Sequence, residues 1–147
     1  MRTTQIYTSS KVILLSSLAL LILFSLGSCA RKISFLNSAV VPAAQGTVKV
    51  KKDKNSNYKI QIHLVNLAGV SRIQPARQSY VVWMVTSNDE TKNIGQINSS
   101  SSLLSKKLKA SFETVSAVKP VKIFITAEDD AGIQYPGTQV ILSTDSF

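Results

Sequence analysis

From Thr47 onward the chain alternates apolar and polar residues, the period-two pattern of strands with one face in a core. Thr47-Val48-Lys49-Val50-Lys51 alternates, and so does Tyr58-Lys59-Ile60-Gln61-Ile62-His63-Leu64. In the second run Tyr58, Ile60, Ile62 and Leu64 share the face to be buried. The polar stretch Lys52-Asp53-Lys54-Asn55-Ser56-Asn57 between them reads as a turn, so the two runs predict a hairpin. Ser79 to Thr86 is apolar at both parities, which predicts a central strand covered on both faces. Ser87-Asn88-Asp89-Glu90 is a turn, and Asn93–Ile97 reads as a short strand in which Gly95 marks a bulge. Asn98 through Ser102 is a serine-rich loop. Leu103–Glu113 fits a helical spacing through Leu104, Leu108 and Phe112 and also an alternating strand; its neighbours favour strand for the second half. Lys119–Ala127 alternates again, with Val121, Ile123 and Ile125 on one side. Glu128-Asp129-Asp130-Ala131-Gly132 is a turn, and Thr138–Ser143 is a last strand.

About seven strands with regular turn signals predict an all-β fold, an antiparallel, immunoglobulin-like β-sandwich over residues 46–147. Dense β-branched residues exclude a helical bundle. No period of a solenoid or propeller is visible.

The amino-terminal pattern is different. Arg2 and Lys11 precede Val12–Leu26, an uncharged run rich in Leu, Ile, Val, Phe and Ala. Small residues follow, then Cys29, the chain's one cysteine, then Arg31-Lys32. A positive segment, an apolar segment and small residues make a secretory leader over residues 1–28. An uncleaved transmembrane helix is the competing reading, because an uncharged stretch of this length could span a bilayer. Leu26-Gly27-Ser28-Cys29 resembles the lipobox of bacterial lipoproteins, with Leu26, Gly27 and Ser28 as the signal-peptidase recognition residues. The resemblance implies thioether lipidation of Cys29, cleavage before it, and acylation of the new amino terminus, of the palmitate type. One acyl chain anchors weakly, whereas several on one residue make release very slow. Ala30, not Asp, follows the cysteine. By similarity to the sorting pattern of Gram-negative lipoproteins this implies the outer membrane, with the domain facing the periplasm. Residues 29–45 are expected as a lipidated tether, since Pro42-Ala43-Ala44-Gln45-Gly46 has little to bury.

Charge adds a further constraint. Without Arg2 and Lys11, 15 of the 17 basic residues remain against 8 acidic ones, a net charge of +7. Arg31, Lys32, Lys49, Lys51, Lys52, Lys54 and Lys59 cluster near the anchor, mainly as a solvated face, with contact to anionic lipid or cell-wall polymer as the functional alternative. No nucleic-acid recognition helix or aromatic motif is present.

Catalytic chemistry is sparse. His63 is the only histidine and falls on the solvent face with Lys59 and Gln61. One histidine and one lipidated cysteine cannot build a zinc site. No Gly-x-Ser-x-Gly elbow accompanies the serines. Glu128-Asp129-Asp130 does not match the spacing of a calcium loop and reads as a solvated turn. No cofactor, metal or catalytic residue is expected. Trp83 is expected in the core, which would aim Tyr80 outward or into a second layer. A sugar-binding sandwich would have to draw on Tyr58, Tyr80, Trp83 and Tyr135, and a ligand carrier would need an apolar cavity between the sheets.

The ordered set Leu64-Val65-Asn66-Leu67, Tyr80-Val81-Val82-Trp83, Gly95, Phe124-Ile125-Thr126-Ala127-Glu128 and Pro136-Gly137-Thr138-Gln139-Val140-Ile141-Leu142 is similar to the extracytoplasmic C-terminal domain of anti-sigma-K factors. The likeness covers roughly residues 46–147. It implies a β-sandwich of the sensing or protein-interaction kind. Such factors carry a cytoplasmic helical sigma-binding domain and a transmembrane helix, for which this chain shows no counterpart, so sigma-factor binding is not expected. The reading is a non-catalytic envelope lipoprotein with a protein partner.

Overall fold

In the computed structural model, residues 30–97 and 109–147 are described. The expected leader 1–28, the expected lipidation site Cys29 with Leu26, Gly27 and Ser28 before it, and the segment 98–108, which holds the serine-rich stretch, lie outside the described residues.

Eight strands are described: β1 (Arg31–Ser34), β2 (Gln45–Lys52), β3 (Tyr58–Val65), β4 (Ser79–Thr86), β5 (Thr91–Ile97), β6 (Lys109–Ser116), β7 (Pro120–Glu128) and β8 (Val140–Ser143). They form two four-stranded sheets, ordered β1-β2-β3-β6 and β5-β4-β7-β8. Every pairing is antiparallel. The fold is an all-β sandwich, as the alternation predicts. One turn of 3-10 helix, Val70–Arg72, sits on the crossing from β3 to β4.

The core lies between the sheets. Val48, Ile60, Ile62 and Leu64 from the first sheet meet Tyr80, Val82, Met84, Ile123 and Ile125 from the second. β2 and β3 pair in unbroken register from Gln45↔Val65 to Lys52↔Tyr58, confirming the hairpin. Each period-two residue lands on the side its sequence parity assigns, because a slip by one residue would invert every side chain. β4 is central, flanked by β5 and β7, and six of its eight residues are buried. Gly95 does mark a bulge: the register shifts between Val82 and Trp83, and Gly95 has a φ of 133°. A β-carbon there would lie 2.9 Å from the Phe112 ring of the opposite sheet.

Two expectations change. Residues 31–45 are not a loose tether. Arg31–Ser34 pairs with β2, Phe35 bridges to Thr144, and Leu36 N donates to Ser143 O at 2.8 Å. Val41 and Ala44 are buried in the core. The physical reason is a short alternation, Lys32-Ile33-Ser34-Phe35, whose Ile33 and Phe35 pack on the core. The segment also joins the edges β1 and β8, closing one side of the sandwich. The second change concerns Tyr80 and Trp83, which exchange their expected faces. Tyr80, with Val82 and Met84, belongs to the inter-sheet core. Trp83 is on the opposite face of its sheet, yet fully buried.

Candidate functional site

The buried aromatic and acidic residues form a structural clamp. Trp83 stacks on Phe124, its neighbour across the β4–β7 ladder, with ring centroids 6.2 Å apart. Its indole Nε1 donates to Thr126 Oγ1 at 2.7 Å. In register opposite Trp83 on β5 stands Asn93, whose Nδ2 donates to Ala131 O at 2.8 Å and Ile133 O at 2.9 Å. The connection from β7 to β8 is thereby pinned across the outer face of the second sheet. Its far part is held by Glu128, whose Oε1 accepts Gly137 N at 2.8 Å. Tyr80 donates its hydroxyl to Ala68 O at 3.0 Å, and burial pushes the phenol up to about 12. Among the described residues no buried side-chain nitrogen or oxygen lacks a partner.

The acidic turn is likewise engaged internally. Arg77 forms an ion pair with Asp129 and donates from Nε to Gln139 Oε1 at 3.3 Å. Asp130 Oδ1 accepts Gly132 N at 2.9 Å. Glu128, Asp129 and Asp130 point to three different partners and share no site. Among the described residues no group of three or more His, Cys, Asp or Glu could hold a metal ion. His63 is exposed on the outer face of β3, opposite Thr47 and Ser111.

The aromatic candidates are dispersed. Trp83 and Tyr80 are buried, Tyr58 is half-buried, and only Tyr135 stands clear of the surface, at 82 % exposure. Tyr135 lies in the β7–β8 connection, at the opposite end of the sandwich from Tyr58. Among the described residues no pair of exposed aromatics forms a stacking platform for a sugar ring. Two open depressions lie at the margins. One of about 650 Å³ lies between Ala39–Ala43 and the segment Arg72–Gln74, and one of about 420 Å³ is lined by Phe35, Gly46 and His63.

The outer face of the first sheet is largely exposed and predominantly basic. Lys32 stands opposite Lys49, and Lys51 opposite Lys59. Lys109 adds to the same face on β6, where it neighbours Val65. Like charges directly opposite one another destabilise a sheet. Glu113 is the face's one acid. Its carboxylate takes Lys59 Nζ at 2.6 Å and Gln61 Nε2 at 2.7 Å. Those hydrogen bonds, Lys59 first, hold its carboxyl below the ordinary 4.5. Lys32, Lys49 and Lys51 have no such acid opposite them. Sequence reasoning finds these lysines but not the Lys32–Lys49 juxtaposition, because it does not reveal the pairing of β1 with β2.

No family model, curated protein or solved structure matches the chain.

Proposed function

We propose that the chain is a lipid-anchored, non-catalytic β-sandwich module of the periplasmic side of the outer membrane, and that its lysine face docks an acidic surface of an envelope protein. The observation that carries this reading is the pair of like-charge juxtapositions, Lys32 with Lys49 and Lys51 with Lys59, on an otherwise well-paired sheet. A face that works against stability is matched best by an anionic counterpart, which relieves the repulsion on contact. Supporting it, Trp83 and Glu128 are buried against internal partners and the exposed Asp129 is paired with Arg77. The anchor rests on the lipobox-like Leu26-Gly27-Ser28-Cys29, and β1 begins only two residues after Cys29. The similarity to anti-sigma-K extracytoplasmic domains agrees with an interaction module; sigma-factor and nucleic-acid binding form no part of the proposal.

The test is cross-linking and affinity recovery from detergent-solubilised envelope, with wild type beside a Lys32→Glu, Lys49→Glu double variant. One stoichiometric protein recovered by wild type and lost by the variant is the expected result. Equal recovery by both, or retention on isolated cell wall with no protein partner, overturns it.

A further inference from the structure

The end of the sandwich nearest Cys29 carries a second basic feature, distinct from the lysine face. Between the sheets, a cleft of about 180 Å³ is lined by Arg31, Val50, Lys52, Tyr58, Lys119, Pro120 and Phe147. Four apolar side chains make its floor and walls, and three cations stand at its rim. The Arg31 guanidinium lies 5.7 Å from the Phe147 ring centroid, and Lys52 Nζ 5.9 Å from that of Tyr58. Both contacts set a cation against an aromatic ring that lines the cleft. No Asp or Glu side chain lines it. The nearby Asp53 has its Oδ1 accepting the amides of Asn55 and Asn57 at 2.8 and 2.9 Å. Asp89 and Glu90 belong to the β4–β5 turn at this end, on the other sheet, where Glu90 pairs with Lys92 at 2.9 Å.

Position selects the ligand. Arg31 follows Cys29 by two residues, a reach of about 7 Å at full extension. Under the anchored reading on which this inference rests, the cleft opens at the level of the lipid headgroups. We propose that Arg31, Lys52 and Lys119 hold the phosphate of an anionic phospholipid headgroup, with Val50, Tyr58 and Phe147 against its glycerol and upper acyl carbons. Arg supplies a planar fork for phosphate oxygens and the lysines supply movable point charges. The lipid so bound would be a neighbour of the anchor, not the anchor itself.

The experiment places the full-length processed protein in vesicles and maps lysine acetylation by mass spectrometry. Three arms are compared: neutral phosphatidylcholine, phosphatidylcholine with phosphatidylglycerol, and neutral vesicles with millimolar inorganic phosphate. Flotation with neutral vesicles reports the anchor separately from the cleft. The expected result is protection of Lys52 and Lys119 by threefold or more, relative to Lys32 and Lys49, with phosphatidylglycerol only. Arg31→Gln should abolish that excess. Equal protection of all four lysines shows diffuse attraction and overturns the cleft. Protection by inorganic phosphate alone overturns the lipid assignment, and no protection in any arm overturns both. If the protein fails to float with neutral vesicles, the anchor fails, and the phosphatidylglycerol arm still reads the cleft.

Discussion

At the scale of single residues, Trp83 shows how a side chain can be buried without belonging to the core between the sheets. It stacks on Phe124 and bonds to Thr126 on the outer face of its sheet, the face across which Asn93 pins the β7–β8 connection. Trp83→Ala should destabilise the domain by about 3–5 kcal/mol, read as a lowered urea midpoint. Tyr80 gives a sharper signature. Its folded phenol titrates near 12 against 10.0 when free, so its contribution is fully present below pH 10 and is lost as pH rises towards 12. Tyr80→Phe should cost about 0.5–1.5 kcal/mol at neutral pH through the lost bond to Ala68, and should flatten the alkaline fall in stability. Denaturant melts from pH 8 to 12 check both. The side assignments of Ile60, Ile62 and Leu64 were legible because strand parity alone sets them. Those of Tyr80 and Trp83 were not, since a strand apolar at both parities leaves open which face meets the other sheet.

At the scale of elements, the β7–β8 connection and β1 are the parts that sequence reasoning could not place. The connection has no periodicity; it is fixed by Asn93, Glu128 and Gly137, residues far apart in sequence. A β-carbon on Gly137 would lie 2.6 Å from Glu128 Oε2. Gly137→Ala should therefore displace the Glu128 carboxylate, loosen the loop and raise amide exchange at Trp83, measurable by hydrogen–deuterium exchange. β1 was hidden by its brevity and by the apparent linker behind it, although Ile33 and Phe35 already alternate with Lys32 and Ser34. Its pairing creates the Lys32–Lys49 juxtaposition. Lys49→Glu should stabilise the isolated protein by about 0.2–1 kcal/mol while weakening partner recovery. A stability gain without any loss of partner would remove the functional reading of that face.

At the scale of the whole molecule, the sandwich was legible because regular alternation and spaced turns admit few other folds. The lysine face was only half legible: composition gave the charge, and pairing gave its arrangement. Cys29→Ser should leave unprocessed precursor without attached lipid, which mass spectrometry of the membrane fraction checks. The absorption of residues 31–45 into the fold has a further consequence for an anchored molecule. With β1 starting two residues after Cys29, a lipid on Cys29 would leave at most about 7 Å of chain between the bilayer and the first strand. Strands β2 and β3 are eight residues long, about 26 Å at roughly 3.3 Å per residue. If Cys29 carries the proposed lipids, so short a leash keeps the whole flank of the sandwich near the bilayer, and whatever meets that flank must itself come close to the membrane.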